Sequence, residues 1–221
     1  MRISTLLKTG LWIAALCLCA PAQTPKDAPP ANEAKGMPPR ASATEYLAHA
    51  KAGSLTIGAE FKGHNVPTLQ GPLTTEDYVV VELGIFGGAD AKVKLSADDF
   101  SLRINGKKGL ATQPYGLVIA NVKDPEWAPP EPPAAKKSAL NTGGGGGQDQ
   151  QDSTPKVVHI PIEVQRAMAQ RVQKSTLPEG GRALPVAGLI YFQYRGREKG
   201  IKSLELVYNG PAGKSTIELH P

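Results

Sequence analysis

Cysteine is nearly missing from this sequence of 221 residues, which contains only Cys17 and Cys19. Both lie in the first 22 residues, which we predict to be cleaved off as a signal peptide. The mature chain would then have no cysteine, which excludes disulfides, thiolate sites and zinc–thiolate clusters from it. An exported domain without disulfides relies on its hydrophobic core, so it has to be large enough to bury one.

Long apolar runs are missing as well. The apolar stretch from residue 10 to residue 18 is far shorter than the roughly 20 residues of a membrane-spanning helix, so no transmembrane span is predicted. Arg2 and Lys8 precede this stretch, and the small-residue pattern Ala20-Pro21-Ala22 follows it. We therefore predict a cleavable signal peptide over residues 1–22, and a mature protein in the periplasm or outside the cell.

Lipid attachment is the alternative at this end of the chain, because Cys17 and Cys19 lie at a suitable depth for it. A lipoprotein signal has a small residue before its cysteine, whereas Leu16 and Leu18 occupy those positions here. Ordinary cleavage after Ala22 is therefore favoured over a lipid anchor.

An excess of one charge is also lacking. Without Arg2 and Lys8, the mature chain keeps 23 of the 25 basic residues against 20 acidic ones, a net charge of +3. The basic residues are scattered among acids, and no basic stripe alternates with the few aromatic residues. The pattern argues against a nucleic-acid footprint and indicates a solvated surface of mixed sign.

Two stretches have a composition that cannot bury a core. Residues 23–50 are dense in proline, alanine and charge, and we predict a disordered tether there. Residues 124–155 contain two Pro-Pro pairs, five consecutive glycines and the run QDQQDS, which is typical of a flexible insertion. We predict that this insertion interrupts one domain over residues 51–221; two separate domains are the alternative.

Strand patterns dominate the rest of the sequence. Residues 54–61 and 99–105 alternate apolar and polar side chains, and residues 77–86 are rich in Tyr and Val. Asn105-Gly106 predicts a hairpin turn with positive φ at both positions, after which residues 110–112 would return. A further strand pattern covers residues 115–122. Three more, at residues 189–195, 201–208 and 215–220, predict an antiparallel meander.

These seven or eight short strands, separated by frequent turns, predict the fold class. We expect a mainly β protein, an immunoglobulin-like antiparallel β-sandwich with one short inserted helix and long disordered segments.

The helix is predicted over residues 161–174. Pro161 suits its first turn, and acidic and basic residues near its two ends complement the helix dipole. Val164, Met168 and Val172 recur every four residues on one face. This stripe either packs on the sandwich or docks a partner, so its three residues are candidate partner-binding residues.

A second candidate partner-binding surface is aromatic. Tyr191, Phe192 and Tyr194 lie on one predicted strand. Alternation places Tyr191 on the face opposite to Phe192 and Tyr194, so one of the two tyrosines could be exposed to a partner; packing in the core is the alternative.

Motifs for a cofactor or a nucleophile are incomplete. Residues 210–216 end in GKST as a phosphate-binding P-loop does, but Tyr208 stands where that motif needs glycine, and a strand pattern follows instead of a helix. We predict a hairpin turn there. Neither GxSxG nor HExxH occurs in the chain, so we assign no catalytic residue and no cofactor.

Metal-binding patterns are not evident either. The four histidines are scattered, with no pair at the spacing that metal sites favour, and Asp90 with Asp98-Asp99 lacks a DxDxDG-like loop. The sequence alone cannot pair its carboxylates into a general acid and base. The residues concerned are His49, His64, His159 and His220, and Glu60, Glu76, Asp77 and Glu82.

Four segments in this order carry a resemblance to a known group: YVVVEL at 78–83, LSADDFSL at 95–102, GLIYF at 188–192 and LELVY at 204–208. Together with the signal peptide and tether, they resemble exported bacterial immunoglobulin-like domains of unknown function, including the telokin-like group. The resemblance covers most of residues 54–219. It implies a β-sandwich and brings no catalytic residues, while the insertion and the helix depart from the compact plan of that group.

We therefore expect an exported, non-enzymatic protein that binds another envelope component or an extracellular protein. A structural or assembly role in the envelope and a hydrolase with an unrecognised carboxylate site are the alternatives. A pocket that gathers acidic side chains would favour the hydrolase, and an apolar patch around the helix would favour binding.

Overall fold

The computed structural model describes residues 34–128 and 160–221. The predicted signal peptide over residues 1–22, the first part of the predicted tether and most of the predicted insertion therefore lie outside the described residues.

The described part of the chain forms thirteen strands and two α-helices. In chain order they are β1 (Ala48–Ala52), β2 (Leu55–Gly63), β3 (Asn65–Val66), β4 (Leu73–Thr75), β5 (Tyr78–Phe86), β6 (Lys92–Leu95), β7 (Phe100–Ile104), β8 (Leu110–Gln113), α1 (Tyr115–Ile119), β9 (Val122–Lys123), α2 (Ile162–Ser175), β10 (Gly180–Ala183), β11 (Val186–Gln193), β12 (Leu204–Gly210) and β13 (Gly213–Leu219). The prediction of a mainly β protein is confirmed.

Eight of the strands form one sheet in the order β1-β2-β5-β11-β8-β7-β12-β13. Each neighbouring pair is antiparallel. The sheet curls until its edge strands β1 and β13 come into contact. Strands from before residue 129 and from after residue 159 alternate within it, so both parts of the chain complete a single sheet.

The inner face of this sheet encloses the larger hydrophobic core. Val79, Val81, Leu83 and Ile85 of β5 point into it, together with side chains from β2, β7, β11, β12 and β13. On the outer face, Tyr78 and Val80 of β5 belong to a second core, whereas Gly84 lies against the ring of Tyr46. Because β5 is buried on both faces, its sequence is a nearly continuous apolar run.

Helix α2 closes the second core over the outer face of β5 and β11. Pro161 is its N-cap, and the helix ends at Ser175, after which the Thr176 hydroxyl donates to the Val172 carbonyl. Pro178 follows shortly and cannot extend a helix. The helix predicted over residues 161–174 is therefore confirmed, with both ends shifted by one residue. Neither α2 nor α1, the two described α-helices, is long and apolar enough to cross a membrane.

The prediction of a disordered tether over residues 23–50 is wrong for residues 34–50. Met37 pairs with Ala187 of β11, and the chain then forms a 3-10 turn at Ala43–Glu45 and enters β1. Tyr46 explains this order, because its ring lies on a flat patch of the sheet made by Gly58 and Gly84. A Cβ atom at either glycine would come within 2.5 Å of the ring or its hydroxyl.

Two strand predictions are also wrong. Residues 115–122 contain helix α1 in place of a strand, with Pro114 as its N-cap and Val118 buried in the second core. The last three predicted strands are not a meander, because β8 and β7 lie between β11 and β12. Only the β12–β13 hairpin joins neighbours there, and its turn at Pro211-Ala212 confirms the predicted turn before GKST.

The Asn105-Gly106 turn is confirmed. Both residues have positive φ, 53° and 67°, and the Lys107 amide donates to the Ile104 carbonyl. The connection between β7 and β8 is longer than two residues. Asn105 uses its side chain to donate to the Gly200 carbonyl, which ties this turn to the approach to β12.

Candidate binding pocket beside helix α2

A pocket of about 310 Å³ opens beside the N-terminal half of α2. Four of its lining residues are apolar and two are charged: Trp127, Ile160, Val164 and Met168, with Lys123 and Asp124. This volume lies at the lower end of the range of small-molecule sites, which are concave and mostly apolar with a few polar groups. We call it the α2 pocket.

A tight turn holds the tryptophan in the pocket wall. The Glu126 amide donates to a carboxylate oxygen of Asp124 at 3.0 Å, and the Trp127 amide donates to the Asp124 carbonyl at 3.2 Å. An aspartate whose side chain accepts from the backbone two residues on is a common turn device. Residues 124–128 are therefore ordered, and the prediction that the flexible insertion begins at residue 124 is wrong for this part.

Arg171 of α2 fixes that turn to the helix. Its guanidinium lies 2.6 Å from the other carboxylate oxygen of Asp124, and the two side chains are only 14% and 15% exposed. Arg171 also donates to the Gly71 carbonyl at 2.9 Å and to the Thr68 hydroxyl at 3.3 Å. One side chain thus holds together the helix, the loop between β3 and β4, and the turn that carries Trp127.

The second charged residue of the pocket has a different environment. The Lys123 ammonium lies 2.7 Å from a carboxylate oxygen of Glu76, but the side chains are 62% and 81% exposed. Exposed ion pairs of this kind contribute about 0–1 kcal/mol and exchange readily with solvent. The ammonium can therefore leave Glu76 and bind another anion at low cost.

The candidate partner-binding residues of α2 are mostly inaccessible. Met168 and Val172 are buried in the second core, whereas Val164 is half-buried and lines the α2 pocket. The face of α2 that carries them packs on the sheet, so the partner-docking interpretation is wrong for Met168 and Val172. The reason is that this face covers the outer side chains of β5 and β11, including Val80 and Leu189, which would otherwise contact water.

The aromatic candidates do not form an exposed face either. Tyr191 is 1% exposed beneath α2, and its hydroxyl lies 3.2 Å from the Thr176 hydroxyl. Burial raises the pKa of this tyrosine far above its ordinary value, against a smaller opposite effect of that hydrogen bond. Tyr194 is half-buried and stacks on the ring of His64, with 6.4 Å between ring centroids.

His64 connects its own segment to two others, around Tyr78 and around residues 196–198. Its Nδ1 lies 2.8 Å from the Tyr78 carbonyl and its Nε2 lies 3.1 Å from the Gly196 carbonyl, while its amide donates to Glu198. Residues 34–128 and 160–221 contain no group of three or more His, Cys, Asp or Glu side chains that could hold a metal ion. His159 lies outside the described residues.

The structure shows which two carboxylates lie side by side, which the sequence alone could not show. Glu60 and Glu82 are direct partners on β2 and β5, and both bind Arg40 and Lys62. Burial alone would raise the pKa of Glu60, but the hydrogen bonds and positive charges of Lys62 and Arg40 outweigh it, so the pKa of this carboxyl lies below its ordinary value. A carboxylate held ionised in this way suits an ion-pair cluster better than a general acid.

Sequence reasoning named Val164 and Met168 and missed the other four residues that line the α2 pocket, Lys123, Asp124, Trp127 and Ile160. One sign was available: Trp127 is a lone aromatic residue in a stretch of proline, alanine and charge, where a large apolar side chain has no use unless it packs. Comparisons of the chain with protein-family models, with curated proteins and with solved structures find no match.

Proposed function

We propose that this chain is an exported, non-enzymatic binding module of the cell envelope or extracellular space, and that it binds through the α2 pocket. The observation that carries the proposal is the pocket itself, with its apolar wall and two charged side chains. The wall that carries Trp127 is fixed in advance by the Arg171–Asp124 contact, which lowers the entropy lost on binding.

Two exposed apolar side chains on the helices support the same proposal. Ile162, in the first turn of α2, is 51% exposed, and Leu117 of the neighbouring helix α1 is 52% exposed. Exposed apolar side chains on elements in contact add to the apolar surface available to a ligand.

The proposal includes two finer assignments. The first is export, for which the support is the pattern of Arg2, Lys8, the apolar stretch and Ala20-Pro21-Ala22. The second is an immunoglobulin-like β-sandwich similar to the exported telokin-like domains. Its support is the antiparallel pairing throughout the large sheet and a core shared between its β1-β2-β5-β11 half and its β8-β7-β12-β13 half.

Export is tested by expressing the full chain in a bacterial host and sequencing the N-terminus of the protein in each fraction. We expect the periplasm or the medium to contain a chain that begins at Gln23. A chain that keeps Met1 and stays in the cytoplasm would contradict export, and a lipid-modified Cys17 or Cys19 would show the anchored alternative.

Binding is tested with two substitutions on α2, one in the pocket wall and one away from it. The purified protein is dialysed against an extract of envelope components, and bound molecules are detected by native mass spectrometry. Val164→Lys places a charge in the pocket wall, whereas Gln170→Lys places the same charge on an exposed position of the same helix that does not line the pocket.

We expect a bound molecule on the wild-type chain and on Gln170→Lys, and its loss from Val164→Lys. No bound molecule on any of the three proteins would contradict a binding module. Equal occupancy of all three would show that binding takes place elsewhere on the surface.

A further inference from the structure

We infer that the α2 pocket takes a small, single-chain amphiphile with an apolar body and one carboxylate, and that Lys123 binds the carboxylate. This inference rests on the proposed function and names the ligand class of the same pocket. Its two parts, the apolar body and the anionic head, follow from different residues.

The size and the wall of the pocket determine the apolar body. Trp127, Ile160, Val164 and Met168 supply a wall of aromatic and aliphatic side chains around about 310 Å³. An engineered apolar cavity of about 150 Å³ holds one benzene ring, so this pocket has room for an aliphatic chain of about eight to twelve carbons. Burial of such a chain would supply most of the binding free energy.

The charges at the pocket determine the sign of the head group. Asp124 is already neutralised by Arg171 at 2.6 Å and accepts a backbone hydrogen bond as well, so it has little capacity left for a cationic ligand. Lys123 is the other charged lining residue, and its ammonium pairs with the exposed Glu76. An ammonium on a flexible, exposed stem can turn from Glu76 to a bound carboxylate.

Three eight-carbon probes separate these contributions: octanoate, 1-octanol and octylamine. They share one apolar body and differ in the charge of the head group. Binding is measured by titration calorimetry and by the emission of Trp127, in the full-length chain carrying Trp12→Phe. That background leaves Trp127 as the only tryptophan, so the emission reports on the pocket wall.

Charge reversal at the rim provides the matched variants. Lys123→Glu reverses the charge at the pocket, and Lys107→Glu makes the same change in the exposed turn between β7 and β8. We expect octanoate to bind roughly tenfold more tightly than 1-octanol or octylamine to the parent chain and to Lys107→Glu. Lys123→Glu should lose this preference and bind octylamine at least as tightly as octanoate.

Equal affinity of the parent chain for the three probes would overturn the carboxylate inference and leave the pocket as the binding site. Absence of binding by all three, with a bound molecule from the envelope extract, would overturn the ligand class alone. Absence of binding in both experiments would overturn the ligand class and the proposed function together.

A free amphiphile is distinguished from a lipid in a membrane by sedimentation with vesicles. Vesicles of phosphatidylcholine with phosphatidylglycerol present anionic head groups on a surface, whereas octanoate is free in solution. We expect the protein to stay in the supernatant. Sedimentation that Val164→Lys abolishes would overturn the inference in favour of a membrane-bound ligand.

Discussion

The guanidinium of Arg171 lies 2.6 Å from the carboxylate of Asp124 and joins helix α2 to the turn that carries Trp127. Both side chains are largely withdrawn from water. The contact therefore has two effects: it holds α2 against the rest of the fold, and it fixes one wall of the α2 pocket.

Loss of this contact should destabilise the fold and loosen the pocket. Arg171→Met leaves the Asp124 carboxylate without its cation in a site of low exposure, and we expect the free energy of unfolding to fall by about 2–3 kcal/mol. Urea denaturation measures this change, and Trp127 emission should move to longer wavelength in the native state. The control is Arg103→Met, which removes an exposed pair with Glu205 at 3.4 Å and should change stability by less than about 1 kcal/mol.

The stabilising effect of Tyr46 should depend on the lack of side chains at Gly58 and Gly84, against which its ring lies. A Cβ at Gly84 would lie 2.4 Å from the Tyr46 hydroxyl, so Gly84→Ala should destabilise the fold by about 1–3 kcal/mol. In a Tyr46→Ala background the same substitution should have little effect, which a double-mutant cycle would detect as coupling. Gly88→Ala is the control, because its Cβ would meet nothing within 4 Å. Additive effects of Gly84→Ala and Tyr46→Ala would contradict the contact.

Acid should weaken the fold through the Glu60 cluster. Because the pKa of Glu60 is lower in the folded chain than in the unfolded chain, the unfolded state binds the proton first as pH falls. The stabilisation is therefore present above the ordinary glutamate pKa of about 4.3 and is lost as pH falls through the folded value. Denaturant unfolding between pH 7 and pH 3 should show a shallower pH dependence for Glu60→Gln than for the wild type. The control is the same substitution at an exposed position of β13, Glu218→Gln.

Alkali should weaken the fold through Tyr191. Burial raises the pKa of its hydroxyl in the folded state, so the unfolded chain loses the proton first as pH rises past about 10. Tyr191→Phe should be less stable than the wild type by about 1 kcal/mol at pH 7, through loss of the contact with Thr176, and should lose less stability between pH 9 and pH 11. Parallel pH profiles would show that the hydroxyl is not protected from solvent.

Periodicity predicted β2, β7 and α2, and richness in Tyr and Val predicted β5, because each of these signals is a local property of the sequence. It failed for residues 115–122. The apolar letters of Tyr115–Ile119 fit a strand or a short helix equally well, and the contact of α1 with α2 favours the helix. Pairing order could not be predicted either, since β7 and β8 enter the sheet between β11 and β12 by contacts distant in sequence.

The tether prediction failed for a related reason. Composition indicates how much apolar surface a segment has, but it does not indicate where a single side chain packs. Tyr46 packs against two glycines on different strands, Gly58 and Gly84. Likewise, no local pattern indicates that Asp124 would meet Arg171 after 46 intervening residues. These contacts depend on the three-dimensional arrangement of distant segments.

The sequence by itself determined the mainly β character, the Asn105-Gly106 turn, the amphipathic helix and the lack of cysteine in the predicted mature chain, because each depends on residue type and local spacing. Only the tertiary structure decided which apolar face is free. It buried Met168, Val172 and Tyr191 between helix and sheet, and it assembled the α2 pocket from Lys123, Asp124 and Trp127 on one side of residues 129–159 and Ile160, Val164 and Met168 on the other. A pocket forms where packed segments leave a gap between them. The gap depends on how segments distant in the sequence pack together, which local sequence patterns do not specify.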